Sequence, residues 1–573
     1  MLKFLITAAS SNSGKTAVTC GLLSLLKRKG YDPCAFKCGP DYIDPMFHRS
    51  VLGIESANLD VFLAGEEGVR EAFTRGCQDH DAAVCEGVMG FYDGMTSAGS
   101  AAKAGQAADA AADPPADSAG AVDPFAGARA SAWHVASLLE IPAILVVRPK
   151  GAALTLAAVI QGMAGFRRPS RICGVILNDC SEMYYRMYAP AIEAESGIPV
   201  LGYVPHMEEA VFESRHLGLM TAEEIKDLGE RIDRIGVRME ETIDLERLVQ
   251  VTGEAAADPH GTCETAASEA GSVAGGETGS VAGGETGSVA SGETGSVASG
   301  EAGAPEHPDA ADALEHPDAA GVSNDPPAEG STNVLPHATN KVRIAVTRDA
   351  EGSTNVLPRT TNKVRIAVAR DAAFNFIYAA SVFALEDAGA ELVYFSPLRD
   401  HSLPEGVSGL YLPGGYPELY GKELSENESM RTSIREAIKG GLPTIAECGG
   451  FLYLGETLAD ADGESWSMAG ALPGHGAGTG KLVRFGYGTI SCEQESMLFC
   501  PGEEVPVHEF HYWDTTAQGE DLTLTKNSNG KRWRFGYAGE TIYAGFPHLY
   551  LAGGKLAERF TAAARKYAAG SGR

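Results

Sequence analysis

The chain is 573 residues long and 44% apolar, with 69 glycines and a formal net charge of -30. Such a length suits two to four domains, and an acidic chain without a basic stripe argues against nucleic acid as the partner. Eleven cysteines without a CxxC pair disfavour a disulfide framework or structural zinc, and no apolar run approaches the ~18 residues of a membrane span.

The opening MLKFLITAASSNSGK lacks a signal-peptide cleavage pattern, so the chain reads as cytoplasmic and not membrane-associated. KFLITAA (3–9) has the composition of a short buried strand, and it feeds through SSNSGKT into the helical pattern AVTCGLLSLLKRKG. Strand, Gly-containing loop and helix form the context of a phosphate-binding loop. Ser13, Gly14, Lys15 and Thr16 would cradle the phosphates of ATP, with the Thr16 hydroxyl on Mg2+. The first glycine of the usual G-x-x-x-x-G-K-[ST] pattern is replaced by Ala9.

PCAFKCG, a second strand-like piece, leads into Pro40-Asp41-Tyr42-Ile43-Asp44-Pro45, and the strand AAVCEG (82–87) ends on Glu86. Acidic residues at the C-terminal ends of strands in an open α/β sheet lie at the ligand crevice. Asp41 and Glu86 would therefore complete a metal site with Thr16, while Lys37, Tyr42 and Asp44 would face nucleotide or substrate. A single such carboxylate is as readily a loop-end cap.

Residues 97–130 are rich in Ala, Gly, Asp and Pro, hold one aromatic, and read as a disordered insertion in a loop. The fold is expected to resume with WHVASLLE (133–140), the strand PAILVV and a helix over 151–164. RICGVILN (171–178) is another buried strand whose terminal Asn178 would meet a purine edge. Arg215 and His216, in SRHLGL, either hold an anionic substrate or are plain surface residues.

From residue 253 the apolar pattern collapses. Residues 253–341 carry fifteen Asp or Glu against one Lys, and GSVAGGET-type octapeptides run in tandem over 271–302. Each repeat offers only Val and Ala to a core, so a flexible acidic linker over 253–362 is expected rather than a solenoid. EGSTNVLPHATNKVRIAVTRDA (329–350) is then duplicated as EGSTNVLPRTTNKVRIAVARDA (351–372). Only the second copy continues into a helix–strand pattern, so Val364–Val368 is expected to be the first strand of a second domain, with the first copy spare.

The alternation beyond 363 predicts a second doubly wound α/β domain, over 363–568, beside the first at 1–252. TIAECGGFLYLGE (444–456) reads as strand, sharp turn and helix with Cys448 on the turn, from which a thiol can attack and the Gly449 amide can face an oxyanion. A buried structural cysteine is the bland alternative. Gly414 and Gly415, in LPGGYPELY, would supply the opposing oxyanion amide. A base is also needed, and His475, His508, His511 and His548 are the candidates, with His548 at the end of the strand ETIYAGFP.

The set SSNSGKT, KCGPDYIDPMFH, CEGVMGFYDG, SRHLGL, RIAVARDAAFNFIY, LPGGYPELY, AECGGFLYLGE and HEFHYW resembles the cobyrinate a,c-diamide synthase family over roughly 1–250 and 363–568. The resemblance implies an N-terminal ATP-binding domain similar to dethiobiotin synthetase and a C-terminal class I glutaminase. It implies that Cys448 releases ammonia from L-glutamine with His548 as base, and that ATP–Mg2+ activates a corrinoid carboxylate for amidation. A homodimer is compatible with that reading. Within the same class the substrate would alternatively be another tetrapyrrole, or the chain would act like a cobyric acid synthase; from another class, a partition-type ATPase is the rival. Two departures stand out. The H-x-E of many class I glutaminases is His548-Leu549-Tyr550 here, leaving the third triad member unassigned, and Arg148 stands where a relative would often show Asp.

Overall fold

The computed structural model describes residues 1–95, 125–208, 222–257 and 363–570. Seven parallel strands form the N-terminal sheet: β1 (Leu2–Ala8), β2 (Pro33–Cys38), β3 (Ser56–Leu59), β4 (Ala82–Glu86), β5 (Ala143–Val147), β6 (Ile172–Asn178) and β7 (Val200–Val204). Their order is β3-β2-β4-β1-β5-β6-β7, so strand order reverses around β1. Runs such as AILVV and AAVCE are buried along their whole length, as strands covered on both faces must be.

The helix α1 (Lys15–Arg28) follows β1 and is buried over most of its circumference. One side lies on the sheet; the other is covered by the helix Ala222–Thr242, which the sequence reading did not assign. Ser24 Oγ donates to Asp233 at 3.0 Å, and Arg28 and Lys29 both pair with Glu240. Gly21 admits the close approach, because a side chain there would strike the Met239 sulfur at 2.3 Å. A further helix, Leu245–Ala257, carries this half five residues past its expected end at 252.

In the C-terminal half, β8 (Val364–Ala369), β9 (Ala390–Phe395), β10 (Gly409–Leu412), β11 (Thr444–Glu447) and the strand Ile542–Gly545 are parallel, with Tyr537–Ala538 antiparallel at one edge. From that edge the order is Tyr537–Ala538, Ile542–Gly545, β11, β10, β8, β9. The second copy of the duplicated segment thus supplies the first strand, as expected. The first copy, the octapeptide repeats and the pair Arg215 and His216 lie outside the described residues. Two further sheets extend this half beyond a simple doubly wound unit, a mixed one of four strands and an antiparallel one of five. The larger contains Val505–His511 paired with His548–Leu549.

The two halves share apolar packing. Tyr378 and Tyr550 belong to the same buried cluster as Phe36, Leu59 and Phe73, and the described parts of both halves fall in one compact unit. Tyr487 Oη donates to Asp60 at 2.6 Å, and Tyr378 Oη donates to the Pro40 carbonyl at 3.3 Å. One expectation needs correction. The low-complexity stretch 97–130 is not loose to its end: residues 125–130 are placed, Arg129 bridges to Met95, and Phe125 stacks on His134 with ring centroids 3.7 Å apart. Ala128 is buried there too, and the Ala130 amide donates to His134 Nδ1 at 3.1 Å. Among the described residues no helix is long and apolar enough to cross a membrane.

Candidate active site: two strand-end clusters that meet

The first cluster gathers at the C-terminal ends of β1, β2, β4 and β6. Gly14 caps α1 with φ +89°, a left-handed conformation that lets the loop turn into the helix. Lys15 curls back onto the loop, donating to the carbonyls of Ser10 at 3.1 Å and Met89 at 2.6 Å. Burial, and then the like charge of Lys37, bring its pKa down to about 8. Ser13 Oγ donates to the Ser10 carbonyl at 3.0 Å. Asn178 donates to the Ser13 carbonyl at 3.0 Å, and its amide nitrogen fills the space above Gly14 where a Cβ would lie. The Asn178 amide, at the end of β6, thus braces the loop. Arg148 reaches the same loop, donating to the Asn12 carbonyl at 3.3 Å and pairing with Asp179.

Thr16 Oγ1 donates to Glu86 Oε1 at 2.6 Å, and Lys37 Nζ donates to the same oxygen at 2.9 Å while also pairing with Asp44. Burial opposes the Lys37 charge, but Asp44 and Glu86 outweigh it and hold the ammonium well above a free lysine. Burial, then the Asp44 charge, pushes Glu86 up to about 7. Lys37 and Asp44 thus form a buried ion pair that Glu86 joins. The proposed metal trio is not fully assembled. Thr16 and Glu86 are joined, but Asp41 turns its carboxylate onto the Ile43 amide at 2.8 Å. Among the described residues no three His, Cys, Asp or Glu side chains stand close enough to hold a metal. Glu86 Oε2 is nevertheless buried without a hydrogen-bond partner, and with the Thr16 hydroxyl it offers the hard oxygen donors that Mg2+ takes alongside phosphate.

The second cluster lies where β11 ends. Cys448 has φ 48° and ψ -106°, a strained conformation for a non-glycine residue, and its amide donates to the Gly545 carbonyl at 2.8 Å. The helix Gly449–Leu454 starts immediately after it. The elbow read from the sequence is present, with the thiol 8% exposed. Sheet order explains its company. β10 flanks β11 on one side and delivers Gly414 and Gly415; Ile542–Gly545 flanks it on the other and delivers His548. A Cβ on Gly449 would lie 2.9 Å from the Gly415 amide nitrogen, and one on Gly414 would lie 2.4 Å from His548 Cε1. The glycine pair is thus wedged between the elbow and the imidazole. Burial, followed by the charge of Glu418, raises the Cys448 thiol well above its ordinary pKa.

Two of the three rival histidines, His511 and His475, have partners of their own. His511 bonds Glu509 at 3.0 Å and the Trp513 carbonyl at 2.6 Å, stacked on Phe546. His475 is exposed beside Thr457. His508 is pushed down to about 3 by burial and by His548.

Tyr42 joins the clusters. Its ring stacks on Tyr378 at 4.4 Å and Phe376 at 5.3 Å, and lies 5.0 Å from the His548 imidazole. The sequence gives no periodic signal for such a contact between residues five hundred positions apart.

Comparison with known proteins agrees with this division. Residues 4–217 match the CobQ/CobB/MinD/ParA nucleotide binding domain, and residues 365–555 match the CobB/CobQ-like glutamine amidotransferase domain. The chain is 31% identical over 551 residues to a cobyrinate a,c-diamide synthase of Caldanaerobacter subterraneus subsp. tengcongensis, covering 96% of this chain and 95% of the relative. It is 32% identical over 559 residues to the corresponding protein of Clostridium tetani (96% and 98%), and 30% identical over 569 residues to that of Salmonella typhimurium (98% and 98%). With a nucleotide-binding half, a glutamine amidotransferase half and near full-length similarity, the chain belongs to the cobyrinate a,c-diamide synthase family of glutamine-dependent ligases.

Proposed function

We propose that this chain amidates the a- and c-side-chain carboxylates of cobyrinic acid or hydrogenobyrinic acid, using ammonia from L-glutamine and acyl phosphates formed with ATP. The observation that carries the reading is the strained Cys448 turn, with Gly414-Gly415 wedged between it and the His548 imidazole and the Tyr42 ring beside that imidazole. His548 takes the thiol proton, the thiolate attacks the glutamine carboxamide carbon, and backbone amides at Gly415 and Gly449 receive the oxyanion. Collapse returns the proton to the departing nitrogen, and water later cleaves the thioester. A thiol raised by burial needs such a base, since little of it ionises unaided.

In the other cluster Lys15 swings from its carbonyl partners to the phosphates, and the Gly14 loop and α1 N-terminus present amides to them. Mg2+ would be held by Thr16 and Glu86, with Asp41 beside them, and would neutralise phosphate charge during transfer. Tyr42, Asp44, Arg215 and His216 are the proposed substrate-side residues. The reactants are cytosolic small molecules, so the enzyme works in the cytoplasm and needs neither nucleic acid nor membrane. Product analysis with cobyrinic acid, hydrogenobyrinic acid and nickel-sirohydrochlorin, each with ATP and glutamine, tests the reading; no amidated product from any of them would end it. Cys448→Ala should lose glutamine-dependent synthesis and keep synthesis from ammonium salts.

A further inference from the structure

His548 has no acidic residue two positions on, yet its imidazole does not stand without a carboxylate. Glu447, the residue immediately before Cys448, places Oε2 3.7 Å from His548 Nδ1. Both side chains are almost wholly buried, at 1% and 2% exposure. The carboxylate is held from two sides: Oε1 accepts the Leu549 amide at 3.0 Å, and Oε2 accepts Tyr411 Oη at 3.1 Å. Leu549 is the neighbour of His548, so the first of these bonds ties the carboxylate to the strand that carries the base. Nδ1 itself is buried with no hydrogen-bond partner within the usual distance. A buried N–H that finds no acceptor is disfavoured, and a shift of several tenths of an ångström would give it one.

We infer that Glu447 is the positioning residue for His548, replacing the missing H-x-E carboxylate from the strand that bears the nucleophile. This rests on the glutaminase reading above. Glu447 accepts Nδ1–H, which fixes the tautomer with Nε2 unprotonated. When Nε2 takes the Cys448 proton, the imidazolium forms beside a fixed negative charge. The proton then leaves with ammonia, so Glu447 neither gains nor loses one over the cycle. The sequence hid this arrangement because β11 and Ile542–Gly545 are adjacent in the sheet, with Glu447 opposite Gly545, while about a hundred residues separate Glu447 from His548 in the chain.

The test is glutaminase kinetics with Glu447→Gln, Glu447→Asp and Tyr411→Phe, with ammonium-dependent synthesis as the measure of an intact fold. Glu447→Gln should lower glutaminase kcat by roughly a hundredfold or more, with little change in KM, and should move the acidic limb of the pH profile to lower pH. Glu447→Asp should recover part of kcat. Tyr411→Phe keeps the carboxylate and removes a donor that offsets its charge, so the acidic limb should move to higher pH. Unchanged kcat and limb in Glu447→Gln would overturn the inference, as would equal loss of both activities in that variant. If Glu447→Gln does not fold, an unmoved limb in Tyr411→Phe overturns it instead. Failure of the wider reading looks different, since Cys448→Ala and His548→Ala would then retain glutaminase activity.

Discussion

The ring of Tyr42 lies 5.0 Å from the imidazole of His548, although one residue belongs to the nucleotide-binding half and the other to the glutaminase half. Tyr42 sits between Asp41 and Asp44 and opens the helix Ile43–Ser50, so the same turn carries the ion pair to Lys37 and the contact with His548. The Tyr42 ring is thus one of the contacts that join the halves, beside Tyr378 on the Pro40 carbonyl and Tyr487 on Asp60. Tyr42→Ala removes the contact and should uncouple the halves: glutamine hydrolysed per ATP consumed should rise roughly two- to tenfold, while Tyr42→Phe stays near the original ratio. Parallel assays of glutamate and ADP give that ratio, and an unchanged value in Tyr42→Ala would refute the coupling.

Gly414 is confined by the imidazole itself. A Cβ there would stand 2.4 Å from His548 Cε1, closer than any packed carbon tolerates. Because His548 is buried, the ring must rotate or the Gly414 strand end must retreat. Gly414→Ala should therefore lower glutamine-dependent kcat at least tenfold, at a stability loss of about 1–3 kcal/mol. Ammonium-dependent synthesis and a urea melt separate the two effects. Gly414→Ala with full glutaminase activity would show that the imidazole has room to move without consequence.

The elements of both sites were legible in the sequence because each is a local pattern. KFLITAA running into SGKT, and LPTIA running into ECGG, are read within a dozen residues, and both became strand, turn and helix. What lay beyond reach depends on which strands become neighbours. Glu447 looked like part of the elbow until β11 paired with Ile542–Gly545 and brought His548 beside it. Lys37, Asp44 and Glu86 each looked like a ligand-facing group; only packing showed that Lys37 closes an ion-pair network with the other two. The segment 97–130 misled because composition averages over its length, whereas its last residues pack: Phe125 stacks on His134, Ala128 is buried and Arg129 bridges to Met95. The helix Ala222–Thr242 went unassigned although Leu228, Ile232, Ile235 and Met239 recur at helical spacing and are all buried.

The Lys37 network has a predictable weight. Lys37, Asp44 and Glu86 are all nearly fully buried, so truncating the lysine leaves two carboxylates facing each other without a cation. Lys37→Met should destabilise the protein by about 3–5 kcal/mol near neutral pH, since removing one partner of a buried pair strands the others. Glu86 would then be protonated at still higher pH, and the ATP concentration for half-maximal rate should rise. Urea unfolding with and without ATP–Mg2+ measures both effects. A melt that matches the parent protein would mean that water reaches the carboxylates and the pair is not closed.

Glu418 gives a pH dependence whose sign can be worked out. It lies in the short turn Pro417–Tyr420 after the glycine pair, 6% exposed, and burial pushes its carboxyl from 4.5 up to about 7. Between those values the folded protein holds a proton that the unfolded chain has released. Linkage then makes folding less favourable as pH rises through that window, by ~3 kcal/mol once it is complete. Glu418→Gln carries no titrating proton, so its melting temperature should exceed the parent's at pH 8 and the gap should close as pH falls toward 4.5. The same substitution removes the charge that, after burial, adds most to the raised thiol of Cys448. Alkylation of Cys448 by iodoacetamide at pH 8 should therefore be faster in Glu418→Gln. Equal melting temperatures across the range would mean that Glu418 ionises freely, and an unchanged alkylation rate would mean that its charge does not reach the Cys448 thiol.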